Sequence, residues 1–313
     1  MTKIAFDLAL PAQHVRWGDY VAAIMAADRM AFQTFWTWDH LFPIFGNPDG
    51  SEFECYTTLA AFAQATKHIR IGALVSGVAY RNPAMMLKEV TQIDVISDGR
   101  LDVGIGAGWA EREFRAFNIP FRSAKDRIGE LRETLALALQ LWSGDPTKKV
   151  TFDGTYVKAY ELFLNPQPVQ RPHPPILVGG GGEQLTLRVV AHYADIWHGF
   201  GDLATLKHKI ELIAQYAGNY GRSGADIQKS TTVSIWVGDL TDAMLDRLSQ
   251  SLGRSPAQIR SSMIHGDPVA VQRQLQPYID VGITRFVVNA LGLPFVDNWQ
   301  RISDDLIPRF QTH

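Results

Sequence analysis

Two adjacent residues in the first part of the chain carry side chains that are suited to moving protons. Asp39 and His40 follow a short β-branched and aromatic run, within the segment Thr37–Pro43. Because side chains alternate along an extended chain, one of the two can face a cavity while the other flanks it. Histidine donates or accepts a proton near neutral pH, so His40 is a candidate acid or base. The alternative is an Asp that caps a turn beside a packed imidazole ring.

A run of four glycines is the strongest local signal for ligand binding. Gly179, Gly180, Gly181 and Gly182 lie between a short apolar run and a helical pattern. Each glycine costs chain entropy, so an ordinary turn has no need of four. Backbone N–H groups at a glycine-rich helix start bind phosphate well, and this segment therefore predicts a phosphate site, with a plain tight turn as the alternative. No Lys-Ser or Lys-Thr pair follows, so the segment differs from a P-loop.

A second glycine-rich segment, Gly104–Trp109, alternates glycine with other residues. Its spacing differs from that of a dinucleotide fingerprint, because the third glycine of that motif is missing. The segment indicates a strand end where the backbone approaches something flat or closely packed. Glu111 and Glu113 follow, and we interpret them as acidic residues at the positive end of the next helix.

The segment Ala73–Pro83 also allows a close approach of backbone to a ligand, because Gly77 lies among small residues. An ordinary connection, with Pro83 in the first turn of the next helix, is the alternative. Several aromatic residues hint at an apolar substrate pocket, although aromatic core is the competing interpretation. They are Trp38, Phe42, Phe45, Trp109 and Trp197.

Several kinds of reactive site are missing from the sequence. There is no HExxH or CxxC metal motif and no GxSxG nucleophile elbow, so we predict no metal site. A site without its own reactive group usually takes one from a cofactor. The glycines, the Asp-His pair and the aromatics together favour a phosphorylated, planar redox cofactor.

These segments follow short apolar runs that predict strands, and amphipathic stretches between them predict helices. The predicted strands are Lys3–Leu8, Thr34–Trp38, Ile69–Val75, Leu101–Ile105, Pro175–Val178, Asp195–Trp197, Thr231–Val237 and Thr284–Asn289. The predicted helices include Tyr20–Met30, Tyr56–Thr66, Ala84–Ile96, Arg127–Trp142, Glu183–His192, Leu203–Tyr220 and Phe295–Phe310.

Eight alternating units predict an α/β fold, a (β/α)8 TIM barrel whose site lies on the loops after the strands. A doubly wound open sheet is the alternative. Residues 143–174 are rich in Pro and Gly and predict an insertion after the fourth βα unit. We expect a short hairpin near Val150–Val157 in this insertion, which could serve as a lid over the mouth. Residues 1–313 are predicted to form a single domain.

Composition excludes several partners. The 313 residues carry 30 basic and 32 acidic side chains without a long run of either sign, so we expect no nucleic-acid partner. No stretch of 18 apolar residues and no signal peptide is found, so we expect no membrane span. A single cysteine, Cys55, fits a reducing cytoplasmic compartment.

Four blocks of the sequence resemble one known family. They are TWDHLFP, IRIGALVSGVAYRNPAMMLK, VISDGRLDVGIGAGWAEREFRAFNIPF and PPILVGGGGEQLTLRVVAHYADIW. Their order and spacing over most of residues 1–220 resemble the bacterial luciferase-like monooxygenase superfamily, and most closely its branch of coenzyme F420-dependent oxidoreductases.

The resemblance implies a role for each matched segment. His40 is the implied catalytic group, with Asp39 beside it, and a non-prolyl cis peptide is implied near Ala73–Ser76. In the sugar-phosphate dehydrogenases of this branch a glutamate acid occupies the position of Trp109, so the resemblance argues against that substrate. The implied cofactor contacts are Asp39, Ala73, Leu74, Val75, Ser76, Gly106, Ala107, Gly108, Gly179, Gly180, Gly181 and Gly182.

The activity that the resemblance implies is hydride transfer between C5 of F420 and an organic small molecule. The alternative is an FMN-dependent monooxygenase that uses reduced flavin and oxygen and needs a flavin reductase as partner. A third hypothesis is a cofactor-binding protein without catalytic activity. A homodimer is also implied.

Overall fold

The computed structural model describes residues 4–291 and 296–311. The strands of these residues, in chain order, are β1 (Ala5–Ala9), β2 (Thr34–Thr37), β3 (Arg70–Ala73), β4 (Ser76–Gly77), β5 (Leu101–Gly106), β6 (Val150–Asp153), β7 (Lys158–Leu162), β8 (Ile176–Gly179), β9 (Ile196–Gly199), β10 (Gln228–Val233), β11 (Ile235–Val237), β12 (Ile264–Gly266) and β13 (Arg285–Asn289).

The helices cover the segments between these strands. They are α1 (Trp17–Ala27), α2 (Cys55–Ala65), α3 (Pro83–Ile96), α4 (Glu111–Ala116), α5 (Ala124–Leu141), α6 (Thr186–Tyr193), α7 (Leu203–Gly218), α8 (Asp242–Leu252), α9 (Pro256–Ser262), α10 (Pro268–Asp280) and α11 (Val296–Arg301). None of the helices in the described ranges combines the length and the apolar character that crossing a membrane requires.

The main sheet is parallel and closes on itself. Its order is β3-β2-β1-β13-β10-β9-β8-β5-β4, and β3 also pairs with β5 through Ile71 and Leu101. Strand β4 continues β3 after an interruption at Leu74 and Val75. Counting β3 and β4 as one strand, the barrel has eight strands in the described residues. The predicted (β/α)8 barrel is confirmed, and the open-sheet alternative is wrong because the two edges of the sheet meet.

Several predicted boundaries differ from the observed ones, and two predicted ends cannot be compared. Lys3 of the first predicted strand and Phe295 of the last predicted helix lie outside the described residues. The predicted strand Thr231–Val237 is two strands, because β11 leaves the barrel and pairs with β12. The helix predicted from Glu183 begins at Thr186, since the intervening residues form turns after the glycines.

A tryptophan fills the barrel below the mouth. The side chain of Trp36 is fully buried, and a Cβ on Gly72 would lie 2.4 Å from its ring. Its indole N–H donates to Asp7 at 2.8 Å. Glycine at position 72 of the neighbouring strand β3 therefore makes the room that this large side chain needs.

Buried charges lie beneath Trp36 at the amino ends of the strands. Arg285 donates to Asp7 at 2.5 Å and to Asp102 at 3.0 Å, and Arg70 donates to Asp102 at 2.8 Å. Burial raises the pKa of a carboxyl group, yet these cations hold the pKa of Asp102 below its usual value. Such a network is stable only when every charge is paired, so it ties four strands together at this end.

The insertion at residues 143–174 packs on the outer wall of the barrel. The predicted hairpin is confirmed as β6 and β7. The carboxylate of Glu133 on α5 accepts from the backbone N–H groups of Tyr156 and Val157 at 2.7 and 3.0 Å. Gln170 donates to Asp94 and to the carbonyl of Leu101 at the start of β5. These contacts lie beside α5 and at the amino end of the barrel, and the role of the insertion as a lid stays a prediction.

Candidate active site

A cavity of about 300 Å³ opens at the carboxyl ends of the barrel strands. It combines glycines, two histidines and aromatic side chains, as expected for the functional end of this fold. Its lining residues are Asp39, His40, Leu74, Val75, Gly77, Tyr80, Gly106, Ala107, Gly108, Trp109, Gly179, Gly180, Thr186, His198 and Phe200.

The side chain of Val75 forms part of the cavity floor. A Cβ on Gly106 or on Gly179 would lie 2.8 Å from a methyl group of Val75, which is closer than such atoms approach. The two glycines at the ends of β5 and β8 therefore make room for Val75. The peptide bond between Leu74 and Val75 is cis, so the non-prolyl cis peptide expected near Ala73–Ser76 is confirmed.

The glycine run turns the chain away from β8 before α6 begins. Gly180 has a φ of +134°, which favours glycine, and its N–H donates to the carbonyl of His198 at 3.1 Å. In the described residues the N–H groups of Gly181 and Gly182 donate to no backbone carbonyl. Lys209 on α7 lies beside them, its Nζ 2.5 Å from where a Cβ on Gly181 would be. Free N–H groups beside an ammonium are an arrangement that binds anions.

Asp39 points away from the cavity centre, into a buried ion pair. Arg81 donates to its two carboxylate oxygens at 2.6 and 2.9 Å, and the hydroxyl of Ser76 donates to it at 2.6 Å. Arg81 also donates to Glu54. Burial acts to lower the pKa of Arg81, but the charge of Asp39 outweighs it and the pKa lies above its usual value. This guanidinium is therefore a permanent cation that keeps Asp39 in one orientation.

His40 points the other way, toward Glu113 on α4. Its Nδ1 lies 3.0 and 3.1 Å from the two carboxylate oxygens of Glu113. The same carboxylate accepts from the backbone N–H groups of Leu41 at 2.9 Å and Phe42 at 3.2 Å, and from the hydroxyl of Tyr80. The expectation that Asp39 and His40 point in different directions is confirmed.

These hydrogen bonds decide the charge of Glu113. Glu113 is 1% exposed, and burial alone would raise the pKa of its carboxyl group. The hydrogen bonds from His40 and Tyr80 outweigh that effect and hold the pKa below its usual value. Glu113 is therefore an ionised carboxylate directly behind His40.

His198 is a second histidine of the cavity wall, and it is neutral. Ser230 donates to the carbonyl of Trp197 at 3.1 Å and accepts from Nδ1 of His198 at 2.8 Å. The hydroxyl of Thr232 lies 3.2 Å from Nε2. Burial, together with the charge of Arg285, lowers the pKa of His198 to about 3. This ring therefore presents no positive charge to a ligand near neutral pH.

The predicted aromatic pocket is only partly assembled. Trp109 is 65% exposed at the cavity and packs edge-to-face on His40, with ring centroids 5.6 Å apart. Trp38 packs behind His40 and donates to Glu52 at 3.0 Å, whereas Phe42 lies under the guanidinium of Arg112. Trp38 and Phe42 are not among the cavity-lining residues.

Trp197 is fully buried in the wall of the barrel, and its indole N–H donates to the carbonyl of Gly180 at 2.8 Å. The prediction that it lines the pocket does not fit this position, because Ile196 and His198 on either side occupy the inward face of β9.

Some of the other residues predicted for the site line the cavity, and others do not. Among the described residues, ten of the predicted positions line the cavity. Besides Trp38, Phe42 and Trp197, five predicted residues are not among the lining residues: Ala73, Ser76, Gly181, Gly182 and Phe45. The sequence indicated Glu113 only as an acid at the start of a helix, and it gave no role to Tyr80 and Arg81, which lie within the segment Ala73–Pro83.

A larger depression of about 540 Å³ lies outside the barrel, between α2 and α3. It is lined by Arg81, Glu54 and Glu89 and shares Tyr80 with the mouth cavity. We place the chemistry in the smaller cavity, because the glycines and His40 converge there.

Known proteins resemble the chain in sequence and in fold. The family model described as luciferase-like monooxygenase matches residues 1–288. F420-dependent hydroxymycolic acid dehydrogenase of Mycobacterium tuberculosis is 27% identical over 311 residues, which cover 92% of this chain and 81% of the relative. The oxygenase component of flavin-dependent trigonelline monooxygenase from Acinetobacter baylyi is 30% identical over 165 residues, covering 52% of this chain and 42% of the relative.

A solved structure of an F420-dependent secondary alcohol dehydrogenase, in complex with an F420-acetone adduct, superimposes with a TM-score of 0.82. The match covers 97% of this chain and 98% of that chain at 19% identity. At this identity the match is evidence for the barrel fold.

Proposed function

We propose that this chain, which belongs to the luciferase-like monooxygenase family and is an oxidoreductase, transfers a hydride between coenzyme F420 and a neutral organic small molecule. A relative that matches 92% of this chain is named for F420, and so is the superimposed structure. The observation that carries the proposal is the arrangement of Val75, Gly106 and Gly179, which gives the cavity a floor made of the Val75 side chain and bare glycine backbone.

The residues around this floor fit a cofactor that has a planar ring and a phosphate. Val75 and the adjoining glycines would lie against the ring. The N–H groups of Gly181 and Gly182 would hold the phosphate, with the ammonium of Lys209 beside them. When bound, the deazaflavin would supply a carbon that accepts or donates a hydride.

The proton that accompanies the hydride is transferred by a side chain of the protein, His40. His40 reaches the cavity on the side of Trp109, while its Nδ1 is held by Glu113. Oxidation of an alcohol releases a hydroxyl proton, and reduction of a carbonyl takes one up. His40 therefore acts as base in the first direction and as acid in the second. Asp39 contributes through the buried pair with Arg81, which fixes the loop that carries His40.

The cavity favours a neutral substrate with an apolar part. In the part of the chain that the structure describes, its lining contains no Lys or Arg, and His198 is neutral. The one lining carboxylate, Asp39, is paired with Arg81. Trp109 and Phe200 are 65% and 61% exposed at the cavity and offer flat apolar contact. A phosphorylated or carboxylated substrate finds no counter-charge there.

Binding of oxidised F420 and of FMN to the purified protein tests the proposal, with tryptophan fluorescence as the signal. We expect F420 to quench the emission and to bind at least about tenfold more tightly than FMN, a difference of about 1.4 kcal/mol. The Trp109→Phe variant shows how much of the quenching arises at the cavity. Dephosphorylated forms of both cofactors should bind more weakly, and absence of F420 binding would refute the proposal.

An FMN-dependent monooxygenase is the second candidate, because the trigonelline relative is named as flavin-dependent. Its name also describes an oxygenase component, so under this alternative a flavin reductase would be the partner. Tighter binding of FMN than of F420, with oxygen consumption in the presence of a reductase and NADH, would favour this activity.

A further inference from the structure

The carboxylate of Glu113 is surrounded by hydrogen-bond donors. The backbone N–H groups of Leu41 and Phe42 and the hydroxyl of Tyr80 all point at its oxygens. Both oxygens also lie within hydrogen-bond distance of Nδ1 of His40. The two backbone N–H groups can only donate, and together with the hydroxyl of Tyr80 they favour the ionised carboxylate, whose pKa lies below its usual value.

An ionised carboxylate accepts hydrogen bonds and donates none. Nδ1 of His40 must therefore carry a hydrogen, and in the neutral ring Nε2 then has a free lone pair. Within the described residues Nε2 makes no hydrogen bond, and the ring lines the cavity. We propose that Glu113 is a positioning residue that fixes this tautomer, so that His40 presents Nε2 to the substrate as the proton acceptor.

The residue at position 109 cannot replace His40 as a proton donor. Trp109 packs on His40 in the cavity, and an indole ring supplies no acidic proton. Glu113 follows four residues later, in the first turn of α4, but as an ionised carboxylate it cannot donate a proton either. The proton therefore depends on His40, with Glu113 acting through it.

The inference rests on the proposed function, because it concerns the proton of an alcohol or carbonyl substrate. In alcohol oxidation, Nε2 takes the hydroxyl proton, and the O–H electron pair forms the second bond of the carbonyl. The hydride leaves carbon with the C–H electron pair and is taken up by the oxidised cofactor. Carbonyl reduction is the reverse, with the imidazolium as the acid.

Other titratable groups near His40 are few in the described residues. Asp39 is the adjacent residue and is paired with Arg81. Glu52 lies behind Trp38, and burial raises its pKa to about 8. Tyr80 contacts Glu113, and burial together with this carboxylate raises its pKa. Glu113 is the one that contacts the ring directly.

The tautomer is measurable without cofactor or substrate. Spectra of the protein labelled with 15N-histidine distinguish a ring nitrogen that carries hydrogen from one that does not, and the His40→Asn variant assigns the signals among the nine histidines. In the wild-type protein at high pH we expect hydrogen on Nδ1 of His40. Hydrogen on Nε2 would overturn the proposal, whichever cofactor the protein binds.

The Glu113→Gln variant tests the cause. Its amide oxygen can still accept from the backbone of Leu41 or Phe42, but its NH2 group then faces Nδ1 of His40. We expect the tautomer to reverse, kcat to fall about 100-fold or more, and KM for the substrate to change little. Retention of the wild-type tautomer, or of wild-type kcat, would overturn the proposal.

The Glu111→Gln variant is the matched control, because it removes one carboxylate from the exposed face of the same helix. It should leave the tautomer and kcat unchanged. If Glu113→Gln does not fold, the spectrum of the wild-type protein still decides. If the tautomer is as expected but F420 does not bind, the proposed function fails and the structural role of Glu113 stands.

Discussion

Arg81 holds both carboxylate oxygens of Asp39, at 2.6 and 2.9 Å, behind the wall of the cavity. The Asp39 side chain is wholly buried and that of Arg81 is 16% exposed. Charges in such a position are stable as a pair and costly when separated. The pair therefore fixes the start of the loop that carries His40.

Removal of the guanidinium in Arg81→Met leaves Asp39 buried without a counter-charge. We expect the free energy of unfolding at pH 7 to fall by about 3–5 kcal/mol, measured by urea denaturation. The control is Arg16→Ala, which breaks an exposed pair with Asp19 and should cause no measurable change. Equal stability of the two variants would contradict the prediction.

A methyl group on Gly179 would occupy the space of Val75. We expect Gly179→Ala to weaken F420 binding at least about tenfold, because one or two kcal/mol of overpacking displaces the floor. The double variant Gly179→Ala with Val75→Ala should recover part of the affinity, which a double-mutant cycle measures. Gly218→Ala, with open space around the added Cβ, should bind like wild type. A lack of recovery would argue against this contact.

His198 makes stability depend on pH. Its pKa is lowered from 6.5 to about 3 by burial, so the folded protein keeps the ring neutral while the unfolded chain protonates it below about pH 6.5. The contribution of the neutral His198 ring to the free energy of unfolding is therefore fully present above pH 6.5, and it is lost as the pH falls toward 3.

We expect the stability advantage of wild type over His198→Gln to shrink by about 2 kcal/mol between pH 7 and pH 5. Urea denaturation of both proteins at each pH measures this difference. An advantage that stays constant over the range would mean that His198 titrates normally in the folded protein.

Glu133 anchors the hairpin of the insertion through the backbone N–H groups of residues 155–157. We expect Glu133→Ala to lower the free energy of unfolding by about 1–3 kcal/mol, since the three donors lose their partner. Because the hairpin lies on the outer wall, kcat/KM should stay at the wild-type value. Asp153→Ala, at an exposed position of the same hairpin, should alter neither quantity. A large loss of kcat/KM would instead support a role of the insertion as a lid.

Sequence reasoning succeeded where the determining interactions are local. The opposite directions of Asp39 and His40 follow from strand alternation, and the glycines near Val75 mark a close approach of backbone. The barrel follows from eight repeated units.

It failed where partners are distant in sequence. Glu113 lies 73 residues from His40 in the sequence. Its place in the first turn of α4 is typical of an acid at a helix start, and only the closed barrel brings it next to His40. Trp197 was assigned to the pocket because it ends a strand, but alternation along β9 gives the inward position to His198. The choice between the two faces of a strand needs the neighbouring strands.

Trp36 closes the barrel beneath the cavity, with the ion pairs of Arg285 below it. The cavity therefore opens toward the carboxyl ends of the strands, and two molecules that meet on its floor must share that entrance. The molecule that lies deeper has to arrive first and depart last. Steady-state kinetics should accordingly follow a compulsory order, with the cofactor as leading reactant and the small molecule as the second.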